Sequence, residues 1–89
     1  MDKRRDTQGS RSSQDIFLGY VVRRSTSGEF LASCRKHPAS HLPPYVSYPA
    51  WAHRYDDLEE AQQDALATGE PADVVCLCDQ AGHYVIRDH

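Results

Sequence analysis

Residues 56–88 read DDLEEAQQDALATGEPADVVCLCDQAGHYVIRD, and a change of period inside that stretch decides the fold. Over its first half the apolar residues Leu58, Ala61, Ala65 and Leu66 recur at helical spacing and line one stripe of an α-helix. Asp56 is placed to cap that helix, with Glu59 three positions on as the second half of a capping-box pair. Gly69 is placed to end it in a left-handed turn, and Pro71 keeps it from resuming. From Asp73 the period falls to two. DVVCLCD (73–79) and HYVIRD (83–88) read as strands, and DQAG (79–82) as a four-residue hairpin loop between them. In that register Cys78 faces His83 and Cys76 faces Val85. One face gathers Val75, Leu77, Tyr84 and Ile86 and is expected to receive the helix. The other gathers Val74, Cys76, Cys78, His83, Val85 and Arg87.

Working outward, IFLGYVVRR (16–24) is dense in β-branched and aromatic residues on both alternating faces, which suits an interior strand. STSG (25–28) then turns the chain and EFLASC (29–34) returns it, forming a second hairpin. The next stretch carries Pro38, Pro43, Pro44 and Pro49. Proline offers no N–H to a ladder, so an extended connection is expected, with room for a short edge strand near Ala50–Tyr55. The fold class is α+β: one helix on a mainly antiparallel sheet of four to five strands, in the order β-β-(β)-α-β-β. Residues 1–14 are polar throughout and are expected to form a disordered tail, leaving 15–89 as a single domain.

The formal charge of -3 and the 89-residue length point to one small domain with no bulk attraction to nucleic acid or membrane. No apolar run approaches the roughly 20 residues of a membrane span. No apolar segment follows the basic residues near Met1, as a secretory signal would require. A cytoplasmic location is the expectation, with the three cysteines as thiols.

The connection could bring Cys34, His37 and His41 to the face of Cys76, Cys78 and His83, and Cys34, His37, Cys76 and Cys78 are the set that could hold zinc, since Cys-x₂-His is a workable ligand step and a small domain gains folding energy from a metal. Against it, Cys76 and Cys78 lie two apart on a strand, roughly 6.5–7 Å between Cα atoms when extended. Ligand pairs usually come from turns that curl around the ion, so no cofactor is expected and zinc stands as the alternative. Cys78 opposite His83 could pair a nucleophile with a base. The chain has no hydrolase signature, phosphate loop or dinucleotide fingerprint, and no enzyme is expected.

Two surfaces suit a partner. The helix carries Asp56, Asp57, Glu59, Glu60 and Asp64 with no Lys or Arg over 56–68. The like-charged Glu60 and Asp64, one turn apart, cost a helix a few tenths of a kcal/mol. Asp57, Glu60 and Asp64 are therefore the expected contact for a protein with a basic patch. The second surface is LPPYVSYPAW (42–51), where Tyr45, Tyr48 and Trp51 sit on a proline-stiffened segment. Trp51 also suits cover for the second sheet face. Arg23, Arg24, Arg35 and Lys36 could serve a nucleic-acid-associated protein. Residues 16–89 nevertheless hold six Lys/Arg against ten Asp/Glu, with no recognition pattern. An exposed edge strand leaves room for a homodimer.

FLGYVV, the return strand GEFLA, and an Arg-aromatic-x-x-Leu-Glu-Glu-Ala entry to the helix (54–61) give the chain a family likeness over roughly residues 17–78. It resembles the small β-β-α-β accessory proteins of phages and mobile elements, some of which act as anti-CRISPR inhibitors. The resemblance implies function by binding, a module that occludes a host or competitor protein. That class shares no catalytic motif, so it assigns no functional residue.

Overall fold

The structure, a computed structural model, describes residues 15–34 and 43–89. The tail expected over 1–14, together with Arg35, Lys36, His37 and His41, lies outside the described residues. Five strands form one antiparallel sheet: β1 (Ile16–Arg24), β2 (Phe30–Leu31), β3 (Tyr45–Val46), β4 (Ala72–Gln80) and β5 (His83–Asp88). Their order across the sheet is β3-β2-β1-β4-β5. One helix, α1 (Leu58–Ala67), lies between β3 and β4 in the chain. The α+β class and the antiparallel sheet are as the sequence predicts.

The centre is the β1–β4 ladder. Val21 pairs with Val75 and Val22 with Val74, and all four are almost fully buried. This double burial follows from the absence of polar alternation in GYVV and DVVC. The two faces are closed by different means. On one, Val21, Val75 and Leu77 meet Phe30, Ala32, Val46 and Ala52, with Leu18 and Ile86 at the margin. On the other, Val22 and Val74 meet Cys34, Tyr55, Ala61 and Ala65.

The helix therefore packs on the Val74 face, opposite to the face expected. The reason lies in side-chain volume. The Val75–Leu77 face is filled by Phe30 and Val46 from the first hairpin and the connection. The Val22–Val74 floor is left to Ala61 and Ala65, whose lack of bulk lets the helix sit close. Leu66, assigned to the stripe by spacing, points outward at 82% exposure, and Asp64 takes its place inside.

Local chemistry explains two further departures. The helix is capped by Asp57 rather than Asp56: the Asp57 carboxylate accepts from the Glu59 N–H at 3.1 Å. The second hairpin turns in two residues rather than four. Ala81 (φ 55°) and Gly82 (φ 87°) both adopt left-handed backbone, the signature of a type I′ turn, and Asp79 Oδ1 braces it by accepting from Gly82 N at 2.8 Å. The strands lengthen accordingly, so Cys78 pairs with Val85 and Cys76 with Arg87, while His83 pairs with Gln80. The shift is an even number of residues, so each side chain keeps the face assigned to it. Gly69 ends the helix at φ 73° as expected.

A bulge between Phe17 and Gly19 interrupts β1. It puts Phe17 and Tyr20 on the same face, ring centroids 5.0 Å apart. Gly19 has φ 152°, and a Cβ there would stand 3.0 Å from Arg54 Cβ and 3.3 Å from the Tyr55 carbonyl oxygen. The edge strand expected near Ala50–Tyr55 is reduced to this one crossing, a single bridge between Tyr20 and Tyr55. Gly19→Ala should cost about 2 kcal/mol or more in urea unfolding. Gly28→Ala (φ 76°, nothing within 4 Å) should cost about 1 kcal/mol for its backbone alone. Equal losses would mean that the close approach at Gly19 contributes nothing.

Candidate functional site

Residues 43–55 leave the sheet edge, turn and return, and the core anchors them on both sides. Val46 and Ala52 are buried in the Val75–Leu77 face. Ala32 N–H donates to the Pro44 carbonyl at 2.9 Å and His53 N–H to that of Leu31 at 3.0 Å. Between the anchors, Pro49 opens a 3-10 turn (Pro49–Trp51) closed by Trp51 N–H to Tyr48 O and Ala52 N–H to Pro49 O, both 3.1 Å. Proline pre-sets the backbone of such a first turn and gives up no bond by lacking an N–H there.

The turn holds two large aromatic side chains outward. Tyr48 is 66% and Trp51 58% exposed, and their rings meet edge to face at 6.0 Å. Trp51 thus does not cover the sheet, because Ala52 fills that position. Tyr45 is half-buried, with the Arg24 guanidinium 3.8 Å from its ring centre. Arg24 is itself held by Glu70 through two bonds of 2.9 and 3.0 Å and by Glu29 at 3.2 Å. Pro43, Tyr45, Val46, Ser47, Tyr48 and Trp51 line a shallow groove of about 200 Å³. The three aromatics predicted to bind a partner are therefore brought together at one place.

The acids of the helix are not. Asp64 is 3% exposed and accepts the Tyr55 hydroxyl at 2.7 Å, so it lies beneath the helix and cannot belong to an outer docking face. Asp57 is committed to the helix cap. Glu60 is half-buried beside a cleft lined by Cys34, His53, Tyr55 and Asp57. At the start of the helix Asp56, Asp57 and Glu59 are exposed. The sequence reading missed this inversion because it took one charge per surface position. The Tyr55–Asp64 bond joins residues with no recognisable spacing motif.

The described ligands of the zinc alternative are dispersed. Cys34 is buried in the cluster with Val22 and Tyr55, Cys76 and Cys78 lie on β4, and His37 is outside the described residues. Among the described residues no group of three or more His, Cys, Asp or Glu side chains could hold a metal ion. Burial pushes the Cys76 thiol up, and the neighbouring Cys78 adds to the shift, the direction away from a reactive thiolate. Arg23 and Arg24, considered for nucleic acid, are engaged: Arg23 meets Asp73 at 2.9 Å, Arg24 the two glutamates above. No helix among the described residues is long and apolar enough to cross a membrane.

Comparison with protein-family models, with curated proteins and with solved structures gives no match.

The buried Tyr55 hydroxyl makes its own prediction. Burial first, and then the bond to Asp64, raise its pKa far above that of a free phenol. The folded chain keeps this proton after the unfolded chain has lost it, so its contribution is complete below about pH 10 and declines as pH rises beyond that. Tyr55→Phe should destabilise the protein at neutral pH by about 1–3 kcal/mol, since Asp64 loses a buried donor. Urea titrations from pH 8 to 11 should show a steeper alkaline loss for the wild type than for the variant. Parallel curves would assign alkaline sensitivity to other groups.

Proposed function

We propose that the protein is a small binding module that docks on another protein through Tyr45, Tyr48 and Trp51, acting by occupancy rather than by chemistry. The observation that carries this reading is the outward presentation of Tyr48 and Trp51 on a turn anchored in the core on both sides. Exposed aromatics on a mobile loop would lose much of their contact energy to ordering. Here the backbone is already fixed by Val46, Ala52 and Pro49, and that cost is small. Tyr and Trp are also the residues that concentrate binding energy at interfaces, because each buries a large area at the expense of two torsions. The acid excess of residues 16–89 favours a partner of net basic character, steered by long-range attraction that salt would weaken. A cytoplasmic inhibitor that blocks a competitor's surface is the biological role this arrangement suits.

A displayed random-peptide library tests the site directly. Peptides selected on the wild type should bind the Tyr48→Ala/Trp51→Ala variant about tenfold or more weakly, while its melting temperature stays within about 2 °C because neither ring is in the core. Binding indifferent to both substitutions would remove the turn from consideration. A large melting shift would make these rings structural.

A further inference from the structure

The two edges of the sheet are built differently. The β3 edge is two residues long, with Pro43 and Pro44 before it and Pro49 after. The β5 edge runs for six residues with no proline and no bulge. Its polar groups can be assigned from the hairpin. In a type I′ turn the residues flanking the loop, here Gln80 and His83, form a hydrogen-bonded pair, and such pairs alternate along an antiparallel ladder. Val85 and Arg87 therefore bond to β4, while Tyr84, Ile86 and Asp88 turn their N–H and C=O groups outward. That is an open template for another strand.

The charges beside this edge are unbalanced in a specific way. Four arginines lie among the described residues. Arg23, Arg24 and Arg87 each meet a carboxylate at 2.7–2.9 Å. Arg54 does not: its guanidinium rests 5.5 Å from the Tyr84 ring centre and reaches the Tyr84 hydroxyl at 3.4 Å. At the far end of the same strand Asp88 is exposed, on the same face as Tyr84 and Ile86. It lies close enough to Arg23 to be felt there, but Asp73 holds that guanidinium. Among the described residues, β5 thus has a cation without a carboxylate partner beside one end, Arg54, and a carboxylate without an ion pair at the other, Asp88.

We propose that β5 pairs antiparallel with β5 of a second copy about a twofold axis through Ile86. Strand geometry limits the choice of register, and charge selects this one. Residues opposite one another must share a face, so their numbers must have the same parity. The outward-pointing residues must meet as hydrogen-bonded pairs, and Ile86 with Ile86, and Tyr84 with Asp88, satisfy this. The charges must match, and this register alone sets Asp88 of the second copy opposite Tyr84, beside the ring on which Arg54 rests. The twofold repeats that pair at both ends, and Ile86 meets its counterpart at the axis. Centring the axis on Val85 instead would set Tyr84 against Ile86 and His83 against Arg87, leaving Arg54 without a carboxylate. The interface is isologous and joins the sheets of two copies into one. Its backbone pairing is made by β5 and its charge pair by Arg54 and Asp88.

Sedimentation velocity on the 89-residue chain over a concentration series should show a monomer–dimer equilibrium that weakens as salt is raised. Arg54→Glu and Asp88→Arg alter exposed side chains and should leave the fold intact by circular dichroism. Each turns an attraction into a repulsion at both ends of the interface and should weaken the dimer by about tenfold. The double charge swap should restore it. A chain that stays monomeric at every concentration, or a dimer unmoved by either reversal, would overturn the proposal. Either result is independent of the peptide selection, so this proposal and the aromatic docking site can fail separately.

Discussion

Tyr55 is bonded in three directions at once. Its N–H and C=O exchange bonds of 2.8 Å with Tyr20, and its hydroxyl donates to Asp64, so the first strand, the long connection and the helix are all fixed by one residue. Its ring fills space between the sheet and α1 beside Cys34 and Ala61. Without that crossing the connection would have no reason to return to β1, and Gly19 would have no reason to lack a side chain. A polar bond inside so small a core costs desolvation, and it is sustained because donor and acceptor satisfy one another at short range. It also specifies how the helix is rotated: Asp64 has to point inward, and that turns Leu66 out.

The division of labour between the two sheet faces follows from what each segment can supply. The helix brings alanines, which allow close approach but little buried area per residue. The other face takes Phe30, Val46 and Leu77, each of which buries enough apolar surface to contribute about 1.5–3 kcal/mol. The helix face takes its larger side chains from Tyr55, Val22 and Val74, and the opposite face from Phe30, Val46 and Leu77. The proline-rich connection forms part of that core and, in the same few residues, carries the exposed aromatic pair. Arg24 links the two roles, binding Glu29 and Glu70 while lying over Tyr45.

Much of the architecture was legible because it is written in local pattern: the helix and its glycine stop, both hairpins, and the antiparallel sheet. What escaped was non-local. Which face of β4 takes the helix depends on the volume of Phe30 and Val46, more than 25 residues away in sequence, and no period within β4 encodes it. The hairpin register was misjudged because Ala81, an ordinary residue, adopts the left-handed backbone that DQAG alone does not demand. The grouping of Tyr45, Tyr48 and Trp51 on one turn was readable from proline spacing and residue type, although Trp51 was expected to be partly buried. The acidic face was misread at Asp64, since spacing on a helix gives the angle of a side chain and says nothing about a distant phenol that could receive it.

The order of strands carries a kinetic consequence. β4 and β5 close across two residues, and α1 forms within its own ten, so both can appear early from contacts near in sequence. The central ladder cannot. Ile16 must find Asp79 and Arg24 must find Ala72, and the entropy of closing that long loop is lost before Val21 and Val22 are buried in return. Loop length thus makes the β1–β4 ladder the contact expected to form last, after the local helix and hairpin contacts that it stabilises. Until it occurs, β4 presents its valines on an open edge.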